Sequence, residues 1–213
     1  ITTYTAGMTV PNGACRPGVT CRVRVRMKDT TGRWSHWSPA LEFVAGAQGL
    51  APTRNLRISE IMYKPAPSDT LPGEDLEFLE LQNSGGVSGQ ETVDLSNMRF
   101  TGGIEYTFPA GAKVAPGAHW VVAKHAAYFQ ARYGFAPDGV YDKELSNKGE
   151  QITLVDAFGV TVLDLTYSDD GDWPASADGL GASLVALTPT GDPNQAASWR
   201  PSTIAGGSPG AND

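Results

Sequence analysis

Three glutamates, Glu60, Glu77 and Glu80, stand out because they interrupt two segments that are otherwise rich in apolar residues. Residues 56–63 read LRISEIMY and residues 74–83 read EDLEFLELQN. Carboxylates inside buried segments are costly unless they are paired or hydrogen-bonded. If the three side chains converge on adjacent strands, a raised pKa would suit them to acid–base catalysis. One hypothesis is therefore a small hydrolase.

The alternative is a structural role for the same carboxylates. Each would then be paired with an arginine, such as Arg57 or Arg99, or would accept hydrogen bonds from backbone N–H groups. Perturbed buried carboxylates are common in structural networks as well as in active sites. An enzyme needs Glu60 and Glu80 to face an open pocket, whereas a structural module buries or pairs them. We expect the structural role.

The densest acidic cluster is the loop 168–172, which holds Asp169, Asp170 and Asp172, with Asp178 shortly after it. Calcium prefers several carboxylate and carbonyl oxygens on a flexible loop. The cluster lacks the ordered spacing of an EF-hand and its closing glutamate, and aspartates are also common in solvated turns. Calcium bound by these four aspartates is one expectation, and solvated turn residues are the other.

Two further signals for chemistry are weak. The three histidines, His36, His119 and His125, fall in different predicted elements without a ligand-spaced partner, which argues against a zinc site. Residues 206–210, GGSPG, match the G-x-S-x-G pattern of a nucleophile elbow. That elbow requires a following helix and a downstream histidine, and here a proline follows the serine. We expect no catalytic residue and no resident cofactor.

The elements that carry the glutamates are predicted to be strands. Segments 56–63 and 74–83 have apolar residues at both parities and no period near 3.6, which indicates strands buried on both faces. Alternation places Glu80 on one face of the second segment and Glu77 on the other. The connection 64–73 contains three prolines and a glycine, which forbid a helix there.

The rest of the chain also favours short strands. The abundance of glycine and proline, 25 and 15 residues, indicates many turns. One helix is predicted at residues 125–133, ended by Gly134. Further strands are predicted at residues 93–100, 104–108, 119–123, 151–155 and 160–167.

Charge and hydropathy exclude some partners. The net charge of −7 argues against binding a nucleic-acid backbone, a contact built on Lys and Arg. No stretch is long and apolar enough to span a bilayer. Because the sequence begins at Ile1 without a signal peptide, we expect it to be a piece of a longer protein.

An ordered series of short motifs follows the two glutamate segments. They are VDLSNMRFTGG, YTFPAG, VAPGAHWVV, LSNKGEQITLVDAFG, WPASADGLGASL, SWRP and SPGAN. In this order they resemble the lamin tail domain, an immunoglobulin-like β-sandwich found in nuclear lamins and in many bacterial extracellular proteins. The resemblance covers residues 56–212. It implies a sandwich with one short rim helix, and it implies a domain without catalytic activity.

The N-terminal part has a different pattern. Residues 20–28, TCRVRVRMK, alternate strictly, with Val23, Val25 and Met27 on one side, which indicates a half-buried strand. A short strand is also predicted at residues 41–44. The opposite side carries arginines that can stack with tryptophans by cation–π contact. The ladder would consist of Arg22, Arg24, Arg26, Trp34 and Trp37. The ladder either contacts a ligand or, as we expect, is a stack of side chains that braces the surface.

This segment resembles the last strands of a fibronectin type III domain with a WSxWS motif, here Trp34 to Ser38. Only part of such a domain fits in residues 1–45, because a complete one needs about seven strands. In fibronectin-type domains a tyrosine often occupies the position of Cys21 and ties the corner before that strand. The resemblance therefore implies that a Cys15–Cys21 disulfide replaces that tie, with two free thiols as the alternative.

These observations predict an all-β chain with two domains. Residues 1–45 form a partial fibronectin type III-like segment, residues 46–53 a linker, and residues 54–213 a lamin tail domain. The expected function is a non-catalytic module of a larger secreted or cell-surface bacterial protein, serving adhesion, anchoring or domain spacing. Its partners would be other domains of the same polypeptide, or a protein or cell-surface partner. We expect neither nucleic-acid binding nor membrane insertion.

Overall fold

The computed structural model of the chain describes residues 14–16, 18–45, 55–67, 71–85 and 91–213. The chain divides into two compact units, residues 1–49 and residues 50–213. The predicted linker, residues 46–53, lies outside the described residues.

The N-terminal unit contains a two-stranded antiparallel sheet. Strand β1, Thr20–Val23, pairs with β2, Leu41–Val44. The strand predicted over residues 20–28 is thus regular only in its first half. The prediction that Val25 and Met27 are half-buried is wrong, since they are 58% and 51% exposed. The described part of this unit has no second layer to cover them.

The second unit is a sandwich of two main sheets. The first sheet has six strands in the order β10-β9-β4-β3-β13-β14, in which only the β9–β10 pair is parallel. Its strands are β3 Leu56–Met62, β4 Phe78–Asn83, β9 His119–Ala123, β10 Gly139–Val140, β13 Leu184–Ala186 and β14 Trp199–Pro201.

The second sheet has four strands in the order β12-β11-β6-β7. Its strands are β6 Arg99–Gly102, β7 Tyr106–Thr107, β11 Gly149–Val155 and β12 Thr161–Ser168. A separate short pair joins β5, Val93–Asp94, to β8, Lys113–Val114. The predicted immunoglobulin-like sandwich is confirmed.

Both faces of the first sheet are buried, as the apolar pattern of its central strands predicts. Its inner face packs against the second sheet through residues such as Ile61, Leu79 and Ile152. Its outer face packs, at one end, against Phe129 of helix α1, Ala126–Tyr133. The helix ends where predicted, at Gly134, which adopts φ 82°.

The outer face is also covered by the end of the chain. After β14, residues 206–213 turn back over the first sheet; we refer to residues 206–213 as the closing segment. The Tyr133 hydroxyl of α1 donates a hydrogen bond to the Gly206 carbonyl over 2.6 Å. Gly206 also donates its N–H to the Gly181 carbonyl over 2.6 Å. The helix and the closing segment together explain how polar residues on this face become buried.

Candidate functional site

Glu60 and Glu80 stand directly opposite each other on the neighbouring antiparallel strands β3 and β4. Strand β3 contains a bulge at Ser59, where the pairing register shifts between Ile58 and Glu60. Ile58 consequently packs in the core between the sheets, whereas Met62 packs on the outer face. Glu60 shares that outer face with Glu80, and the two are only 2% and 1% exposed.

Glu60 accepts hydrogen bonds from two different parts of the chain. The Ser183 hydroxyl donates to Oε1 in a short contact, and the Ser208 N–H donates to the same oxygen over 2.9 Å. The Ser208 hydroxyl donates to Oε2 over 3.2 Å. Ser183 immediately precedes β13, and Ser208 belongs to the closing segment. One carboxylate therefore links β3 to two later elements.

Glu80 is held in the same manner. The Ser59 hydroxyl donates to Oε1 over 2.6 Å, and the Gly210 N–H donates to Oε2 over 2.6 Å. Two residues further along β4, Gln82 Nε2 donates to Oδ1 of Asn212 over 2.7 Å. Strand β4 thus contacts the closing segment at two successive outward positions.

The end of the closing segment is anchored by Asp213. Its side chain is 1% exposed and lies 3.1 Å from Arg200 Nη1. The Thr203 N–H donates to Asp213 Oδ2 over 2.8 Å. These contacts hold the segment on the loop that follows β14.

A polar cavity of about 160 Å³ lies beside the glutamate pair. Arg57, Glu80 and His119 are among the residues that line it. Arg57 Nε donates to Gln82 Oε1 over 3.0 Å, and His119 Nε2 lies 3.7 Å from Glu80 Oε1. That separation is too long for a hydrogen bond.

The predicted pairing of the glutamates with Arg57 or Arg99 is wrong. Within the described ranges, no Arg or Lys nitrogen lies within 4.0 Å of Glu60, Glu77 or Glu80. The other part of the prediction, that backbone N–H groups hold the carboxylates, is confirmed. Serine hydroxyls complete the arrangement, because hydroxyls donate at a lower desolvation cost than a buried guanidinium.

Burial dominates the ionisation of the pair. It raises the pKa of Glu80 to about 7, and the hydrogen bonds from Ser59 and Gly210 offset only part of the effect. Burial likewise raises the pKa of Glu60, against the hydrogen bonds from Ser183 and Ser208. Two adjacent carboxyl groups in this environment hold a proton near neutral pH.

The neighbouring cations do little to oppose that effect. Burial lowers the pKa of His119, so its imidazole is neutral at pH 7 and forms no ion pair with Glu80. Burial also lowers the pKa of Arg57, and the Glu80 charge counteracts part of this. Chemically, the pair suits proton exchange, but the closing segment and two serines already use its oxygens.

Glu77 does not join the other two glutamates. It follows a 3-10 turn, Glu74–Leu76, rather than lying inside the predicted strand. Its Oε2 accepts hydrogen bonds from the Leu145 N–H over 2.9 Å and the Tyr141 hydroxyl over 3.1 Å. Burial raises its pKa to about 7. The hydrolase hypothesis required three converging carboxylates, but only Glu60 and Glu80 lie opposite each other, and Glu77 contacts Tyr141 and Leu145 instead.

The four aspartates proposed as calcium ligands are not arranged as a metal site. Asp169 Oδ2 lies 3.2 Å from Lys148 Nζ, and Asp178 Oδ1 lies 2.6 Å from Lys64 Nζ. Within residues 91–213 and the other described ranges, no group of three His, Cys, Asp or Glu could hold a metal ion. Two of the four proposed ligands, Asp169 and Asp178, are thus paired with lysines. The other two proposed ligands are Asp170 and Asp172. Of the carboxylate oxygens of these four aspartates, Oδ1 of Asp169 is buried without a hydrogen-bond partner in the described part of the chain.

The N-terminal unit keeps its arginine–tryptophan stack in a reduced form. The Arg26 guanidinium lies 4.1 Å from the Trp34 ring centroid and 4.6 Å from that of Trp37. Arg22 instead pairs with Glu42, its Nε donating to Oε1 over 3.0 Å. Lys28 lies 5.5 Å from the Trp34 centroid. Among the described residues, neither Arg22 nor Arg24 makes such a ring contact.

The two serines of the WSxWS motif, Ser35 and Ser38, form hydrogen bonds that take the place of regular strand pairing. The Ser35 N–H donates to the Met27 carbonyl, and the Met27 N–H donates to the Ser35 hydroxyl. Ser38 makes the same two contacts with Val25. Near this sheet, Cys15 and Cys21 form a disulfide. The motif and the disulfide both tie the region around β1.

The family of the chain follows from its sequence match. The lamin tail domain family matches residues 50–169, which is more than half of the chain. The chain belongs to the lamin tail domain family. Domains of this family are generally not enzymes. Neither the curated proteins nor the solved structures gave a match.

The folded second unit extends beyond the residues that match the family. Strand β13 pairs with β3, with Val185 opposite Glu60, and Trp199 of β14 is 4% exposed in the core. Both strands follow the matched region. The folded unit therefore includes residues beyond 169, together with the closing segment.

The sequence did not reveal which residues donate hydrogen bonds to Glu60 and Glu80. Ser59, Ser183, Ser208 and Gly210 come from segments up to 148 residues apart from their glutamates. The one feature of the sequence that drew attention to any of these donors was the G-x-S-x-G pattern at residues 206–210, and this pattern has a structural role here. Its Ser208 donates to a carboxylate, with no histidine among its hydrogen-bond partners.

Proposed function

We propose that this chain is a non-catalytic β-sandwich module of a larger secreted or cell-surface bacterial protein, where it serves adhesion, anchoring or domain spacing. The observation that carries the proposal is the burial of Glu60 and Glu80, which are 2% and 1% exposed. A general acid or base must reach its substrate within hydrogen-bond distance. Here the closing segment occupies that space and binds both carboxylates.

The disulfide supports an extracellular location, because disulfides persist in oxidising compartments. The net charge of −7 counts against nucleic acid as a partner. Among the described residues, no helix has the length and apolar character needed to cross a membrane. The partners that fit are other domains of the same polypeptide and a protein or cell-surface partner.

The N-terminal unit is proposed to be part of a fibronectin type III-like domain. Its support is the β1–β2 pair together with the serine contacts to Val25 and Met27. The stack of Arg26 between two tryptophans stiffens the edge of that pair. We assign it a bracing role, since its side chains already satisfy one another.

The rival function is a hydrolase that uses the glutamate pair. The polar cavity beside Glu80 and the nearby His119 favour it. Against it, each oxygen of both carboxylates already accepts a hydrogen bond from the protein. Lamin tail domains are also generally not enzymes.

The test compares the wild-type chain with the variant Glu60→Gln/Glu80→Gln on peptide, ester, glycoside and phosphoester substrates. The proposal expects wild-type and variant rates equal to those of buffer alone. Turnover by the wild-type chain that disappears in a correctly folded variant would establish the hydrolase. Adhesion is measured in parallel, as retention of beads coated with either protein on bacterial or host surfaces.

A further inference from the structure

The closing segment has almost no apolar anchor. Residues 206–213 read GGSPGAND, so Pro209 and Ala211 are the largest apolar side chains that it can bury. Hydrophobic burial scales with apolar area and contributes little to a segment of this composition. Its position therefore depends on hydrogen bonds to charged or ionisable groups.

Two of those groups are the carboxylates of the glutamate pair. The Ser208 N–H donates to Glu60 and the Gly210 N–H to Glu80. Carboxylates directly opposite each other on adjacent strands repel when both are ionised. Because the pair is buried, water does not screen that repulsion effectively.

Among the residues that the structure describes, the charged and titratable groups of the surrounding elements do not neutralise the pair. Arg57 of β3 is engaged with Gln82, His119 of β9 is neutral at pH 7, and Arg200 of β14 is paired with Asp213. On the helix side, Tyr133 donates to the Gly206 carbonyl, and Arg132 lies close to Gly206. Among the described residues, this leaves protonation of one of the two carboxylates as the means of reducing the charge of the pair.

We propose that the closing segment is a proton-operated clasp, which stays seated while the Glu60–Glu80 pair holds a proton and loosens when both carboxylates are ionised. Loosening uncovers the polar cavity with Arg57 and His119. The sandwich core lies on the other face of the sheet and stays packed.

The direction of the pH effect follows from proton linkage. The seated state binds protons more tightly than the open state, in which water solvates both glutamates and their pKa values fall toward the ordinary value of 4.5. Seating is therefore strongest below the ordinary pKa and weakens as the pH rises toward the higher value of the seated state. Above the pKa of the seated state, seating weakens no further.

The test is amide hydrogen exchange of the closing segment in the intact chain, corrected for intrinsic rates, at about pH 5 and about pH 8. In the wild-type protein, protection of the Ser208 and Gly210 amides falls about tenfold or more between the two conditions. Amides of Ile152 and Leu154 in β11 serve as an internal reference and keep their protection.

The variant Glu80→Gln cannot ionise and keeps an oxygen that accepts the Gly210 N–H. It is expected to lose most of the pH dependence, and Glu60→Gln provides a second, independent variant. The matched control is Glu77→Gln, which removes another buried carboxylate with a raised pKa but no contact with the closing segment. Its pH dependence should equal that of the wild-type protein.

Two results would overturn the clasp. One is equal protection of the wild-type closing segment at both pH values. The other is a fall in protection that both the Glu60 and the Glu80 variants retain in full. Neither result bears on whether the chain is catalytic, so the clasp and the proposed function fail separately.

Discussion

At the scale of the residue, Glu80 shows how a carboxyl group is accommodated with 1% exposure and without an ion pair to any arginine or lysine among the described residues. A hydroxyl and a backbone N–H supply its hydrogen bonds, and burial raises its pKa to about 7, which favours the neutral form below that pH. Replacing charge by protonation avoids the larger penalty of burying an ion. Glu77 follows the same rule with a different hydroxyl and a different backbone group.

Gly207 is the residue on which the closing segment turns. Its φ is 84°, and a Cβ there would lie 2.3 Å from Glu60 Oε1. Gly207→Ala is therefore expected to lower the free energy of unfolding by about 3 kcal/mol, from left-handed strain and the displaced carboxylate. Chemical denaturation measures this loss.

Gly111→Ala is the matched control for that substitution. Gly111 has φ 86° and nothing within 4 Å of a Cβ, so only backbone strain remains. Its expected loss is about 1 kcal/mol. Equal losses for the two variants would show that the contact with Glu60 is unimportant.

Lysine pairing at Asp169 and Asp178 predicts the response to calcium. Because Lys148 and Lys64 lie beside these carboxylates, added calcium must displace two amino groups to bind. We expect the same Tm in millimolar calcium and in chelator, measured by thermal unfolding. A calcium-dependent rise in Tm would contradict this expectation and show that the folded chain binds calcium.

At the scale of the element, the sequence predicted some boundaries of the second unit correctly and missed others. Strand β9 and the end of helix α1 at Gly134 agree with the predicted positions. The predicted strand at residues 93–100 is instead split into β5 and β6, and Asn97 between them has φ 60°. A left-handed residue of this kind interrupts a strand without changing the hydrophobic pattern.

The glutamate pair was harder to place because its geometry depends on the bulge in β3. A bulge shifts every later side chain to the opposite face, so simple alternation from Ile58 puts Glu60 on the wrong side. Glu77 lies on the face opposite Glu80, as predicted, but it precedes the first residue of β4 because a 3-10 turn leads into that strand. Neither irregularity has a glycine or proline within it to signal its position.

The strands after the family match are expected to be essential. A chain that ends at Asp169 loses β13 as the neighbour of β3, and it loses Leu184 and Trp199 from the core. We expect it to be unfolded at 25 °C, as shown by a collapsed amide proton spectrum. The same chain ending at Asp213 is the control.

A well-dispersed spectrum from the shorter chain would contradict this expectation. It would mean that residues 50–169 fold independently and that β13, β14 and the closing segment are additions.

At the scale of the whole molecule, the buried carboxyls set the response of the sandwich to acid. Glu77 and Glu80 both have a pKa raised to about 7, so the folded state binds more protons than the unfolded chain between about pH 4.5 and about pH 7. His119, whose pKa is lowered by burial, acts in the opposite direction near pH 6.5 as a single group. The balance favours greater stability in mild acid.

The central claim is that Glu80 is a structural carboxyl group and is favoured in its neutral form. The most direct measurement is the free energy of unfolding of the wild-type chain and of Glu80→Gln at about pH 5 and about pH 8. We predict that the variant is more stable than the wild-type protein at the higher pH, by on the order of 2 kcal/mol, with a smaller difference at the lower pH. A variant that is less stable than the wild-type protein at the higher pH would contradict the claim, because the ionised carboxylate would then be the form that the fold stabilises.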